Sequence, residues 1–110
     1  MITVVATGGF DPIHSGHIEY LKEASCCGIR LIVGVNSDEW LARKKGRYFM
    51  PYEERAAIVE ALSCVDKVIS FDDKDGSAIH CLEQVKLLYP NDTIVFVSYT
   101  HLTLPTSDLV

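Results

Sequence analysis

Alternation constrains the fold of this chain more than any other feature. Four short apolar runs rich in β-branched residues, 2–6 (ITVVA), 29–35 (IRLIVGV), 65–71 (VDKVISF) and 93–97 (TIVFV), are separated by stretches of helical periodicity. Runs of this kind suit strands buried on both faces. After Ser15, the apolar positions Ile18, Leu21 and Ala24/Ser25 recur at helical spacing, with Gly28 as the expected C-cap. NSDEW supplies an N-cap and acidic first turn around Ser37 to Glu39. PYEERAAIVEAL predicts a helix with Pro51 at or near its first position and Ile58, Val59 and Leu62 on one face. A further helix over 77–89, with Ile79, Leu82, Val85 and Leu88/Tyr89 inward, is stopped by Pro90. RKKGRYF reads as a polar loop, and Asp72, Asp73 and Asp75 as a solvated turn. Strands alternating with helices imply right-handed crossovers and a parallel sheet. The expected fold class is α/β, a Rossmann-like three-layer α/β/α sandwich that ends after its fourth strand.

At 110 residues and 48% hydrophobic, the chain suits one small domain. A net charge of −5 argues against nucleic acid or a membrane surface as partner. The basic residues are nevertheless concentrated. Arg43, Lys44, Lys45, Arg47 and Arg55 are half of the 10 lysines and arginines, an island suited to a small anionic ligand. Cys26, Cys27, Cys64 and Cys81 match neither a zinc spacing nor a disulfide framework, and read as reduced, mostly buried thiols. The opening MITVVATGG has no charged segment or apolar run of signal-peptide type, and no stretch has the length of a membrane span. The expectation is a cytoplasmic protein.

The chemistry concentrates in TGGFDPIHSGH, residues 7–17, which runs from the carboxyl end of the first strand into the first helix. Ligands of open α/β sheets bind at that end. Gly8 and Gly9 permit close backbone approach, and the helix start directs N–H groups and partial positive charge to the same place. His14 and His17, three apart with Gly16 between them, can share one face of the first turn and each donate an N–H to phosphate oxygen. A surface or capping role is the plain alternative; the glycines, the strand before and the helix after favour the anion site. A metal held by the two histidines finds no third ligand, and the absence of Gly-Lys-Ser/Thr excludes a P-loop.

GGFDPIHSGH resembles the G-x-F-D-x-x-H-x-G-H signature of the cytidylyltransferase-like nucleotidyltransferases. RLIVGVNSDEW, RKKGR and PYEERAAIVEALSCVDKVI extend the resemblance over nearly all of 1–97. They look most like glycerol-3-phosphate cytidylyltransferase and the heptose-1-phosphate adenylyltransferase domain. The resemblance implies attack of a small phosphate acceptor on the α-phosphorus of CTP or ATP, usually with Mg2+ on the triphosphate, and release of pyrophosphate. It places Thr7, Gly8, Gly9, Phe10, Asp11, Gly16 and Arg55 at the nucleotide. His14, His17 and Lys44 become the catalytic groups. Lys44, or Lys45 in an alternative register, together with Asp38, meets the acceptor phosphate. Asp11 shapes its loop or helps to position metal, and Asp38 has a helix cap as its alternative. No residue is assigned as a metal ligand. Trp40 and Phe10 stand between base stacking and core packing, with core packing favoured. A homodimer is compatible with the resemblance, although no patch demands one.

The closing SYTHLTLPTSDLV, residues 98–110, breaks the pattern and resembles the conceptual translation of a sequencing-library adapter. On that reading residues 1–97 are the native sequence and 98–110 a non-native tail; a genuine tail stays the alternative. The family's later Gly-Gly-Asp-like stretch and its Ser/Thr-rich motif do not follow VFV here. Three functions therefore stay open: a nucleotidyltransferase or a fragment of one, a nucleotide-binding module or inactive fragment without catalysis, and a relative acting on a different acceptor.

Overall fold

The computed structural model describes residues 1–98. Eight elements follow in the order β1 (Ile2–Gly8), α1 (Ser15–Ser25), β2 (Arg30–Val35), α2 (Asp38–Lys45), α3 (Tyr52–Glu60), β3 (Lys67–Ile69), α4 (Ile79–Leu88) and β4 (Thr93–Ser98). The strands form one parallel sheet in the order β3-β2-β1-β4. The chain builds outward from β1 through β2 to β3, then crosses back to place β4 on the other side of β1. The fold is the expected three-layer α/β/α. The reading of 98–110 as a non-native tail falls, after Ser98, outside the described residues.

Successive strand residues face opposite layers, which is why the runs are apolar throughout. Val4 and Ala6 of β1 and Leu31, Val33 and Val35 of β2 pack with Tyr20, Leu21 and Ala24 of α1 and Val59 of α3. Val5 and Ile32 face the other way, against Cys81 and Val85 of α4 and Phe71. At the amino ends, Asp92 accepts from Thr3 Oγ1 (2.7 Å) and Arg30 Nη1 (2.6 Å), tying β1, β2 and the approach to β4 together. Asp66, the acid of the VD pair, accepts from Leu31 N at 2.7 Å and so caps the start of β2.

Several expectations need correction. α2 runs on through Lys45 and closes on Gly46 (φ 89°), so the basic stretch is helical where a loop was expected. Ile79 and Leu88 are 59% and 50% exposed, because α4 buries only the narrow stripe around Cys81 and Val85. Cys26 and Cys27 are exposed and Cys64 is half-buried; Cys81 alone of the four is buried. Asp73 is 4% exposed, inside the protein rather than on a solvated turn.

Gly28 does not cap α1. That helix ends at Cys26 in ordinary right-handed geometry. Gly28 is required instead by close approach, since a Cβ there would lie 2.6 Å from the Ile2 carbonyl oxygen and 2.9 Å from Val4 Cγ2. Gly28→Ala therefore displaces the start of β1. The expected loss is about 1–3 kcal/mol of stability, as for overpacked cores, read as a lower urea midpoint in equilibrium unfolding.

Candidate functional site

The site lies at the carboxyl ends of β1 and β2, where the backbone leaves the ladder and its polar groups need new partners. Gly9 permits α2 to pack against this turn: a Cβ there would stand 2.7 Å from Leu41 Cδ2. Phe10 takes a left-handed backbone (φ 53°), a conformation costing a non-glycine residue about 1 kcal/mol. The turn drives its ring into the core, 2% exposed, with its centroid 5.2 Å from that of the His17 ring and the two planes steeply inclined. Phe10 is thus a packing residue beneath the cleft and not a stacking surface.

His14 is the N-cap of α1, and its ring accepts from Gly16 N through Nδ1 at 3.0 Å. His17 closes the reciprocal bond, its Nδ1 accepting from His14 N at 3.2 Å. This is a capping box built from two imidazoles where hydroxyl and carboxylate normally serve. Because each Nδ1 faces a backbone N–H, the proton of each neutral ring resides on Nε2. The rings lie 4.0 Å apart, tilted by 34°. The capping and phosphate-donor readings of this pair are therefore compatible. One expectation changes: Gly16 N bonds the His14 ring and His17 N the His14 carbonyl (3.0 Å), so these helix N–H groups are already engaged, and of the two imidazoles it is His17 that lines the cleft.

The cleft has a volume of about 260 Å3. It is lined by residues of the β1 and β2 ends, α1 and α2, among them Gly8, His17, Asn36, Trp40 and Lys44, and by Phe71 and Gly76 to Ala78 of the β3–α4 connection. The structure separates the two lysines that the sequence left in alternative registers. Lys44 lines the cleft, its Nζ 4.8 Å above the Trp40 ring. Lys45 donates to the Asp11 carbonyl and pairs with its carboxylate at 3.2 Å. Trp40 is a half-buried wall of the cleft, where core packing was favoured.

Asp11 shapes its loop. Its buried carboxylate accepts from Phe49 N and Met50 N, both at 2.7 Å, and from Lys45. Burial pushes its pKa up, but the two backbone N–H groups and Lys45 outweigh this and hold it below the usual carboxylate range. Among the described residues no group of three or more acidic, histidine or cysteine side chains is placed to hold a metal. The donors in the cleft, imidazole N–H and ammonium, suit phosphate oxygens and not a cation that takes oxygen ligands.

Arg55 is not at the cleft surface. It is fully buried, donating through Nε to the Met50 carbonyl (2.8 Å) and through Nη1 to those of Gly9 (2.8 Å) and Asn36 (2.7 Å). Its Nη2 pairs with Asp38, which is not the cap of α2; Ser37 Oγ is the cap, accepting from Trp40 N at 3.0 Å. Of the basic island, Arg43 donates to the Asp73 carbonyl (2.9 Å) and Arg47 lies over the Phe49 ring. Lys44 is the cation left on the cleft wall.

Sequence reasoning missed Asn36 and the 76–78 segment. Asn36 ends an otherwise apolar run, a signal that marks the carboxyl end of a strand; Gly76 to Ala78 carried none.

A match to the Cytidylyltransferase-like family model covers residues 5–106. The chain is 40% identical to the bifunctional protein HldE of Syntrophotalea carbinolica over 98% of its own length and 22% of that protein. It is 36% identical to the HldE of Wolinella succinogenes over 97% of its length, again spanning 22% of the relative. Among solved structures, the lipopolysaccharide core biosynthesis protein from Thermoplasma volcanium superposes with a TM-score of 0.64 at 31% identity, covering 89% of this chain and 95% of that one.

Two predictions follow from the geometry. Burial, then the charge of His14, lower the His17 pKa from the ordinary 6.5 to about 4. The unfolded chain thus takes up a proton more readily than the native one, so stability falls as pH drops from about 6.5 toward 4. In an NMR titration the His17 ring should titrate near pH 4, and a bound triphosphate should raise that midpoint. Arg55→Lys, with one ammonium for four acceptors, should cost on the order of 3 kcal/mol in a denaturant melt. Motif, fold and matched span agree: the chain belongs to the cytidylyltransferase-like family.

Proposed function

We propose that this chain carries the nucleotidyl-transfer site of an enzyme that joins CTP or ATP to a small sugar- or polyol-phosphate and releases pyrophosphate. One observation carries the reading. Two imidazoles are locked by their Nδ1 atoms onto the start of α1, so that both present Nε2 as the protonated nitrogen, and Lys44 shares the cleft with His17. Neutral N–H donors and one ammonium, fixed before ligand arrives, suit a reaction whose catalysis is positioning and charge stabilisation.

An ionised oxygen of the acceptor phosphate attacks the α-phosphorus. A new P–O bond forms, the bond from the α-phosphorus to the bridging oxygen breaks, and pyrophosphate leaves with the electron pair. No proton has to be moved. His14 and His17 donate to the phosphate oxygens as charge shifts toward the leaving group. Lys44 offsets the repulsion between the α-phosphate and the incoming acceptor. The backbone of Thr7 to Gly9 lies along the nucleotide. Magnesium enters on the triphosphate as part of the substrate and neutralises its oxygens. Asp11, with its oxygens engaged by Phe49, Met50 and Lys45, is not its ligand in this reading.

The relatives support a sugar-phosphate acceptor. The Thermoplasma volcanium protein is named for lipopolysaccharide core biosynthesis, and the chain spans about a fifth of proteins named bifunctional. Pyrophosphate release from CTP and ATP should be measured against a panel of sugar-1-phosphates and glycerol phosphate, in the full chain and in a full-length relative. His17→Ala should lower kcat by about a hundredfold or more, as does loss of one oxyanion donor, and Lys44→Ala should chiefly raise KM for the acceptor. Unchanged turnover in His17→Ala would sink the assignment. Saturable nucleotide binding without pyrophosphate for any acceptor would favour the non-catalytic module.

A further inference from the structure

Asp73 takes no part in the mechanism above, yet it is 4% exposed and every described contact of its carboxylate reaches the start of α2. One oxygen accepts from Asn36 Nδ2 (3.1 Å) and Ser37 N (2.8 Å); the other accepts the Ser37 hydroxyl proton at 2.8 Å. That last bond fixes the direction of the hydroxyl. With its proton on Asp73, Ser37 Oγ presents a lone pair to Trp40 N, the bond that caps α2. Further along the helix, Arg43 reaches back to the Asp73 carbonyl at 2.9 Å. One residue of the β3–α4 connection therefore grips α2 at positions 37 and 43. Between and just beyond these grips stand Trp40 and Lys44, four apart on one face and both on the cleft wall.

The same connection also lines the cleft, through Phe71 and Gly76 to Ala78. A clamp between α2 and this connection sets the distance between them. We propose that Asp73 is a positioning residue that holds α2, and with it Lys44 and Trp40, in register with the 71–78 wall. The proposal deepens the nucleotidyl-transfer reading and rests on it for the role of Lys44. Burial opposes ionisation of Asp73, but the Ser37 and Asn36 donors prevail and hold its pKa below the usual range, consistent with a carboxylate built to accept.

Trp40 is the single tryptophan of the chain and so reports on α2 without any ligand. In the full chain, Asp73→Ala should red-shift Trp40 emission and raise its quenching by acrylamide, with helical circular dichroism retained. ATP and CTP binding would then be titrated in the parent, Lys44→Ala, Asp73→Ala and the double variant. If Lys44→Ala weakens binding about tenfold in the parent, it should do so less than about twofold once Asp73 is lost, as for residues coupled in one network. Asp73→Asn keeps one accepting oxygen for Asn36 and Ser37 N and should restore most of the Trp40 signal and of the coupling. An unchanged Trp40 signal, multiplicative binding losses, or an Asp73→Asn chain that does not fold would each overturn the proposal in favour of a purely structural acid. If the parent binds neither nucleotide, the nucleotidyl-transfer reading fails separately, and the ligand-free Trp40 measurements still decide whether Asp73 positions α2.

Discussion

The site depends on one buried cation. Where β1 and β2 end, the carbonyls of Gly9 and Asn36 have left the sheet ladder and point inward, where water cannot satisfy them. The guanidinium of Arg55, rising from α3, bonds both, takes the Met50 carbonyl as well, and completes its coordination on Asp38 at the start of α2. A planar group with five donors is the side chain that can close so many acceptors at once. Through it the ends of two strands, the 46–50 loop and two helices become one rigid body. A helix arginine expected at phosphate is instead the group that holds the carboxyl ends of β1 and β2 in shape.

Imidazole at an N-cap costs little and determines much. A serine or aspartate would satisfy the same N–H of α1, but would bring no ring N–H donor to this end of the helix. His14 and His17 each engage the helix through Nδ1, so one hydrogen bond per ring fixes its orientation and the tautomer of its neutral form together. The Phe10 ring packs edge-to-face with His17, and the left-handed backbone at Phe10 sets the course of the turn that brings it there.

Strand and helix order, the parallel sheet and the start of α1 at Ser15 were legible, because each rests on periodicity or on local capping chemistry. The misread positions share a different cause. Arg55 and Asp38 find each other and a set of backbone carbonyls, and carbonyl acceptors leave no trace in sequence. Asp73 looks like any acid of a turn; its partners, Asn36 and Ser37, lie in a different crossover. The choice between Lys44 and Lys45 turned on whether α2 continues past Arg43. RKK carries no apolar position to announce it, and only Gly46 marks where it stops. Ile79 and Leu88 obeyed the helical period, yet the period fixes which residues share a face and not how wide a stripe of that face is covered.

The motif and the basic island divide their labour in a way that resolves an apparent contradiction. A chain of net charge −5 is a poor attractor for a polyanion. Close to the cleft, however, the acids are matched from within: Asp11 by Lys45 and backbone N–H groups, Asp38 by Arg55, Asp73 by Ser37 and Asn36. The described lining of the cleft holds one ammonium, Lys44, and the His17 imidazole. Neutral donors bind ground-state phosphate weakly and gain most when charge shifts onto the leaving oxygens. For the nucleotidyl transfer proposed above, a site built from them would place more of its binding energy in the transition state than in the nucleotide complex, and so favour turnover over tight retention of ligand.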